Sequence, residues 1–253
     1  MEKSSRKLLY GGNWKCNGDK GFLQSFDSTL KSLTVDNDKA EVVVFPTSLL
    51  LKEVREKYDH IKVGSQNVSQ FGNGAYTGEL SPELLKDIGI TTTLIGHSER
   101  RLYFGDDEQT ISAKIKNAEK NGMFIVLCIG ENLQQRESNQ TMDVVFKQLE
   151  TVKSSIVNWG NLAIAYEPVW AIGTGKTASP EQAEEVHAEI RKWLEQSISK
   201  EVADQTRIIY GGSVSKDNCE ALIKKPNIDG FLVGGASLKP DFKIIVDSYK
   251  LKL

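Results

Sequence analysis

Cysteine is too scarce in this chain to staple a fold. Its three copies, Cys16, Cys128 and Cys219, are odd in number, far apart and without CxxC spacing, which excludes a disulfide framework and a thiolate zinc cluster and leaves three reduced thiols. An excess of one charge is lacking as well. Lys and Arg total 32 against 34 Asp and Glu, for a net charge of −2, so no field exists to hold nucleic acid or an anionic membrane, and any anionic ligand has to be held locally. No apolar run approaches the length of a membrane span, and the opening MEKSSRKLLYGGNWK has none long enough for a signal peptide, so a cytoplasmic protein is expected. The sequons Asn67-Val68-Ser69 and Asn139-Gln140-Thr141 are then chance matches.

What is abundant is one pattern, repeated. Short β-branched runs at Lys7–Tyr10, Glu41–Phe45, Ile61–Gly64, Thr92–Ile95, Met123–Ile129, Leu162–Tyr166, Arg207–Tyr210 and Gly230–Val233 predict eight strands. Polar or amphipathic segments separate them, for example Gln182–Ile198, where Ala183, Val186, Ile190, Trp193 and Leu194 recur at helical spacing. Ser81-Pro82 and Ser179-Pro180 each place a capping side chain before a proline suited to the first helical position, and Ser179 with Gln182 makes a capping box. Runs such as VVVF and FIVLCI are apolar on consecutive positions, which suits strands covered on both faces of a parallel sheet. The length of 253 residues fits one large core or two small ones. With no linker or composition shift, the whole of 1–253 is expected to form a single α/β domain, a (β/α)8 barrel of eight parallel strands surrounded by helices. A doubly wound open sheet is the competing architecture.

In a parallel barrel all strands end on one rim, so polar residues that follow different strands converge. After the first strand, Asn13 and Lys15 stand two apart and, in extended chain, point to one side. Gly96-His97-Ser98-Glu99 follows the fourth strand and Glu167-Pro168-Val169-Trp170 the sixth, adding an electrophile and a base. Glycine turns after the last two strands, Gly211-Gly212-Ser213 and Gly234-Gly235, let backbone N–H groups approach an anion and predict a phosphate site. Gly175-Lys176-Thr177 resembles the end of a P-loop, but that pattern needs glycine where Trp170 stands, so a nucleotide is not expected. The segment from Pro168 to Ala178 has the composition of a lid.

Six blocks carry a resemblance: GGNWK at 11–15, GHSERR at 96–101, CIGE at 128–131, AYEPVWAIGTGKTA at 165–178, YGGS at 210–213 and DGFLVGGASL at 229–238. Together, and in this order, they resemble the triosephosphate isomerase family. That resemblance implies a cofactor-free and metal-free isomerase acting on a phosphorylated triose in glycolysis and gluconeogenesis. It implies Glu167 as the base that makes an enediolate, His97 as a neutral electrophile in the assignment that is the standard illustration for this family, Lys15 as the stabiliser of developing charge and Asn13 as an aid to placement. It further implies phosphate contacts from Gly173, Ser213, Gly234 and Gly235, a Glu99 that either pairs with Lys15 or orients its neighbours, Tyr210 and Ser213 as latches of a closed lid, and Glu131 with Trp170 as a latch of the open one.

His60 and His187 are assigned structural roles and Cys128 a packing role, while Cys16 is read either as an interface residue or, if exposed, as a thiol made reactive by the neighbouring Lys15 cation. The segment 66–79, with Phe71 and Tyr76, is too apolar for a free loop; the resemblance implies a homodimer in which Thr77 of one subunit approaches Asn13 of the other. Two other readings compete: an aldolase using Lys15 as a Schiff-base nucleophile, and a non-catalytic binding or adhesion role as a second function.

Overall fold

The structure, a computed structural model, describes residues 6–172 and 177–252. Eight strands, β1 (Leu8–Asn13), β2 (Ala40–Phe45), β3 (Lys62–Ser65), β4 (Thr92–Ile95), β5 (Phe124–Ile129), β6 (Leu162–Tyr166), β7 (Arg207–Tyr210) and β8 (Gly230–Val233), close into one barrel. Each pairs in parallel with the next, and β8 returns to β1 through Leu9↔Gly230 and Gly12↔Val233. The eight-fold barrel expected from the repeat is therefore the fold, and the open sheet is not.

Side chains alternate between two cores. Leu9, Val43, Phe45, Val126, Ile209 and Leu232 point into the barrel. Their neighbours Leu8, Val42, Val44, Leu127 and Ile208 point outward against the helices. Both faces are dry, which is why the strands read as continuous apolar runs.

The first strand runs three residues past its expected end, through Gly11 and Gly12 to Asn13. Glycine weakens a strand prediction, yet here the missing side chains are what let the strand continue. A Cβ on Gly11 would stand 2.9 Å from Leu232 Cδ1 and 3.2 Å from the Phe45 ring, and one on Gly12 would stand 3.0 Å from the Phe242 ring. The Phe45 ring fills the barrel centre and excludes a side chain from Gly64 as well, whose Cβ would lie 2.7 Å from Phe45 Cδ1. As a result Asn13 is seated on the strand itself, opposite Phe45.

The long helix Pro180–Ser197 begins where its signals place it, with the Ser179 hydroxyl accepting from Gln182 N–H at 3.1 Å and the Gln182 side chain accepting from Ser179 N–H at 2.9 Å. Its apolar stripe buries Ala183, Val186, Ile190, Trp193 and Leu194, each larger aliphatic contributing roughly 1.5–3 kcal/mol. Ser81 likewise caps Pro82–Asp87. Among the described residues no helix is long and apolar enough to cross a membrane.

Candidate active site

The carboxyl ends of the strands enclose a cleft of about 380 Å³ lined by Asn13, Lys15, His97, Glu167, Ser213, Gly234 and Gly235. Every predicted site residue within the described part of the chain is present there; Gly173 lies outside the described residues. Residues from β1, β4, β6, β7 and β8 thus meet although up to 222 positions apart in the chain, between 13 and 235.

Asn13 and Lys15 face the cleft while Trp14 between them is buried in the outer core, as alternation predicts. The chain is not extended at Lys15, however, whose φ is 53°, a left-handed conformation that a long side chain adopts only under constraint. The constraints are visible. Lys15 N–H donates to Asn13 Oδ1 at 3.0 Å, and Gln66 Nε2 donates to both the Lys15 carbonyl at 2.8 Å and the Phe45 carbonyl at 2.9 Å. The Lys15 ammonium then reaches Glu99 Oε1 at 2.6 Å. The expected pairing with Glu99 is present, so an ammonium is held in the cleft.

His97 begins the helix Ser98–Tyr103, and its Nδ1 accepts the Glu99 N–H at 3.2 Å. With Nδ1 an acceptor, the ring proton of the neutral form sits on Nε2. That nitrogen lies 2.9 Å from Glu167 Oε1, and the other carboxylate oxygen accepts the Ser98 N–H at 3.0 Å. Both side chains are buried. Burial alone would push the imidazole down, but the Glu167 carboxylate, and after it Glu99, outweigh burial and raise His97 above its ordinary value. Burial would push Glu167 up, and the charge and hydrogen bond of His97, with the Ser98 N–H, overcome this and lower it. Each group thus favours the charged form of the other, which runs against the neutral imidazole expected for His97.

Above the cleft, Glu131 is fully buried and accepts from Tyr166 Oη at 3.0 Å, Trp170 Nε1 at 2.9 Å and Thr141 Oγ1 at 3.3 Å. Trp170 is thereby tied down at the near end of the segment 168–178, with the Arg136 guanidinium over its ring at 5.7 Å. Burial, and then the Glu131 charge, push the Tyr166 phenol far up. Tyr210 is buried at the far end, where burial raises its phenol to about 12 despite the backbone of Ala178.

Several residues contribute to the site in ways that were not read from the sequence. Gln66 clamps Lys15, and only its position at the end of β3 hinted at it. Gly130 and Gly211 make room for Glu167: a Cβ on Gly130 would lie 1.7 Å from the Glu167 carbonyl oxygen, and one on Gly211 would lie 2.9 Å from Glu167 Cγ. Cys128 packs inside the barrel, its thiol pushed well up by burial and by the nearby Glu167. His187 and His60 hold carbonyls, of Asn227 at 3.1 Å and of Leu30 at 3.0 Å, in keeping with structural roles. Among the described residues no group of His, Cys, Asp and Glu is placed to hold a metal ion.

A second cavity of about 350 Å³ adjoins the first and is lined by Asn13, Lys15, Cys16, Gly78, Glu99 and Phe104, among others.

Comparison with known proteins joins these geometric findings to a family. The family model described as triosephosphate isomerase matches residues 8–249. The chain is 49% identical over 250 residues to "Triosephosphate isomerase, chloroplastic" of Secale cereale, an alignment covering 98% of this chain and 84% of that protein.

Proposed function

Because this chain belongs to the triosephosphate isomerase family, we propose that its cleft performs the family's reaction with Glu167 as base, His97 as electrophile, Lys15 as charge stabiliser and Asn13 as orienter. The protein is an intramolecular aldose–ketose isomerase that interconverts glyceraldehyde 3-phosphate and dihydroxyacetone phosphate in glycolysis. The observation that most supports the assignment of roles is the 2.9 Å approach of His97 Nε2 to Glu167 Oε1, two buried groups that follow different strands.

The chemistry follows from that pair. Glu167 turns from His97 to the substrate and takes a proton from the carbon beside the carbonyl; the electron pair left behind forms the carbon–carbon double bond of an enediolate and moves charge onto the carbonyl oxygen. His97 gives its Nε2 proton to that oxygen and recovers one from the neighbouring hydroxyl. The Lys15 ammonium stabilises the oxyanion in a site largely closed to water. Glu167 returns its proton to the adjacent carbon, so atoms and charge balance. Ser213, Gly234 and Gly235 hold the phosphate, the two glycines through N–H groups that no side chain of their own screens; Gly173, the fourth residue assigned to it, lies outside the described residues. Closure of 168–178 keeps water from the enediolate, which would otherwise expel phosphate. Glu131 and Trp170 latch the open lid, Tyr210 and Ser213 the closed one.

The second cavity and the loop bearing Thr77 support a homodimer. Phe71 stacks on Tyr76 at 4.2 Å, and Phe71, Tyr76, Leu102, Tyr103 and Phe104 are all exposed, large apolar side chains of the kind a subunit interface covers. The loop of one copy fills the cavity beside Asn13 and Lys15 of the other. Cys16, exposed in the single chain, then lies at the interface. Three free thiols support the cytosol as the compartment, and the whole of 1–253 is taken as one domain. No observation favours a Schiff base on Lys15, whose nitrogen is engaged by Glu99, or a non-catalytic role.

The test is isomerisation in deuterium oxide. The wild type places solvent deuterium on the carbon of the product, and Glu167→Gln is expected to lose both isomerisation and carbon exchange; exchange that persists in Glu167→Gln assigns the base elsewhere.

A further inference from the structure

Gln148 takes no part in the chemistry described above, yet it grips the backbone beneath the base. It lies on the helix Thr141–Lys153 and turns its side-chain amide onto the turn after β5. Its Oε1 accepts the Gly130 N–H at 2.9 Å, and its Nε2 donates to the Gly130 carbonyl at 3.2 Å. One side chain therefore satisfies both polar groups of one residue, as a neighbouring strand would.

The position of Gly130 makes this grip consequential. On one side, the chain leaving β5 continues the pairing to Glu167: Glu167 N–H donates to the Ile129 carbonyl at 2.7 Å and Val169 N–H to the Glu131 carbonyl at 3.0 Å. Gly130 lies between those two bonds, so its own polar groups face the other way, toward β4. That strand ends at Ile95, level with Leu127, and has no residue left to receive them. Gln148 stands in its place. Contact between Gly130 and the base is tight enough that a Cβ would come within 1.7 Å of the Glu167 carbonyl oxygen. The same helix contributes Thr141 to Glu131 at 3.3 Å, so it docks against the turn at two successive residues.

We propose that Gln148 is a positioning residue: by clamping Gly130 on the face away from β6, it fixes where the backbone of Glu167 stands and hence where the carboxylate meets the substrate. The proposal rests on the reading of Glu167 as base. Glycine is the residue most free to drift when unheld, and proton transfer falls steeply when a base is misplaced by a fraction of an ångström.

The experiment is a double-mutant cycle on the full-length enzyme, with kcat, KM and thermal midpoint measured for each variant. Gln148→Met keeps the length of the side chain and removes both hydrogen bonds; Gln148→Glu keeps the acceptor and removes the donor. Gln148→Met is expected to lower kcat about tenfold with KM changed less than about twofold, and to lower it less than about threefold when Glu167→Asp has already displaced the carboxylate. Gln148→Glu is expected to fall between wild type and Gln148→Met. A folded Gln148→Met with wild-type kcat and only a lowered midpoint would overturn the proposal, as would an equal loss in both backgrounds or a loss confined to KM. If Gln148→Met fails to fold, Gln148→Glu goes through the same cycle under the same criteria. Failure of both to fold also overturns the proposal, since the clamp would then belong to folding. An unchanged rate for Glu167→Asp alone removes the base assignment and the proposal with it, a result distinct from additivity.

Discussion

His97 and Glu167 are joined at 2.9 Å by a contact in which each sets the titration of the other. The carboxylate raises the imidazole against the pull of burial, and the imidazole lowers the carboxylate against the push of burial. Remove the carboxylate charge and burial acts on the ring with only Glu99 to oppose it, while Lys15 assists burial. In Glu167→Gln the His97 pKa is therefore expected to fall from its wild-type value, followed by the ring-proton shifts of His97 in an NMR titration. A pKa that rises or stays constant contradicts the pairing.

The space beside Glu167 is as specific as its charge. Gly211→Ala adds a Cβ 2.9 Å from Glu167 Cγ and 3.3 Å from the Tyr166 carbonyl oxygen, distances that require the side chain of the base to move. A folded Gly211→Ala is expected to lose about tenfold or more in kcat with a smaller change in KM. Steady-state kinetics on the purified variant decide, and an unaltered kcat would show that the Glu167 side chain can shift without loss.

Trp170 is tied to a buried carboxylate by a bond of 2.9 Å, of the kind worth about 1.5–3 kcal/mol because one partner is charged. Trp170→Phe removes the donor while Tyr166 and Thr141 still serve Glu131. Under the open-latch role proposed for Trp170, affinity for inorganic phosphate is expected to rise severalfold and kcat to fall as release slows. Calorimetric titration with phosphate measures the first effect, and weaker binding would reverse the assigned direction.

His187 offers a stability test away from the chemistry. It is fully buried, and burial pushes its pKa down to about 4 from an ordinary 6.5. The unfolded chain then takes up this proton at higher pH than the folded one, so stability is present above pH 6.5 and is lost as pH falls toward 4. The loss from this group is at most about 3 kcal/mol. Urea unfolding at pH 7 and pH 4.5, at one protein concentration, should show a smaller pH difference for His187→Gln than for the wild type; equal differences would mean that the ring titrates normally.

Most of the barrel could be read from the chain because both faces of its strands are buried, which turns each strand into an apolar run bounded by polar rim residues. Seven of the strand expectations end within a residue of the observed strands at their carboxyl ends. β1 does not, since the glycines that look like a break are the accommodation for Phe45 and Phe242. That Asn13, Lys15, His97 and Glu167 would line one cleft was legible because each stands at or just after the end of a strand, and all strands end on one rim. The left-handed Lys15 was not, because its φ is set by Gln66, 51 residues away in sequence. Nor were Gly130 and Gly211 as seats for Glu167, because close approach between β5, β6 and β7 is a property of the closed barrel and leaves no mark on any single strand.

The proposed role of Glu167 as base depends on where its carboxylate stands, now 2.9 Å from His97 Nε2 and 3.0 Å from Ser98 N–H. Glu167→Asp shortens the side chain by one methylene and leaves its charge, so it isolates placement. For conversion of glyceraldehyde 3-phosphate to dihydroxyacetone phosphate, kcat is predicted to fall by about a hundredfold or more with KM within a few-fold of wild type. A Glu167→Asp enzyme that turns over at the wild-type rate would contradict the account.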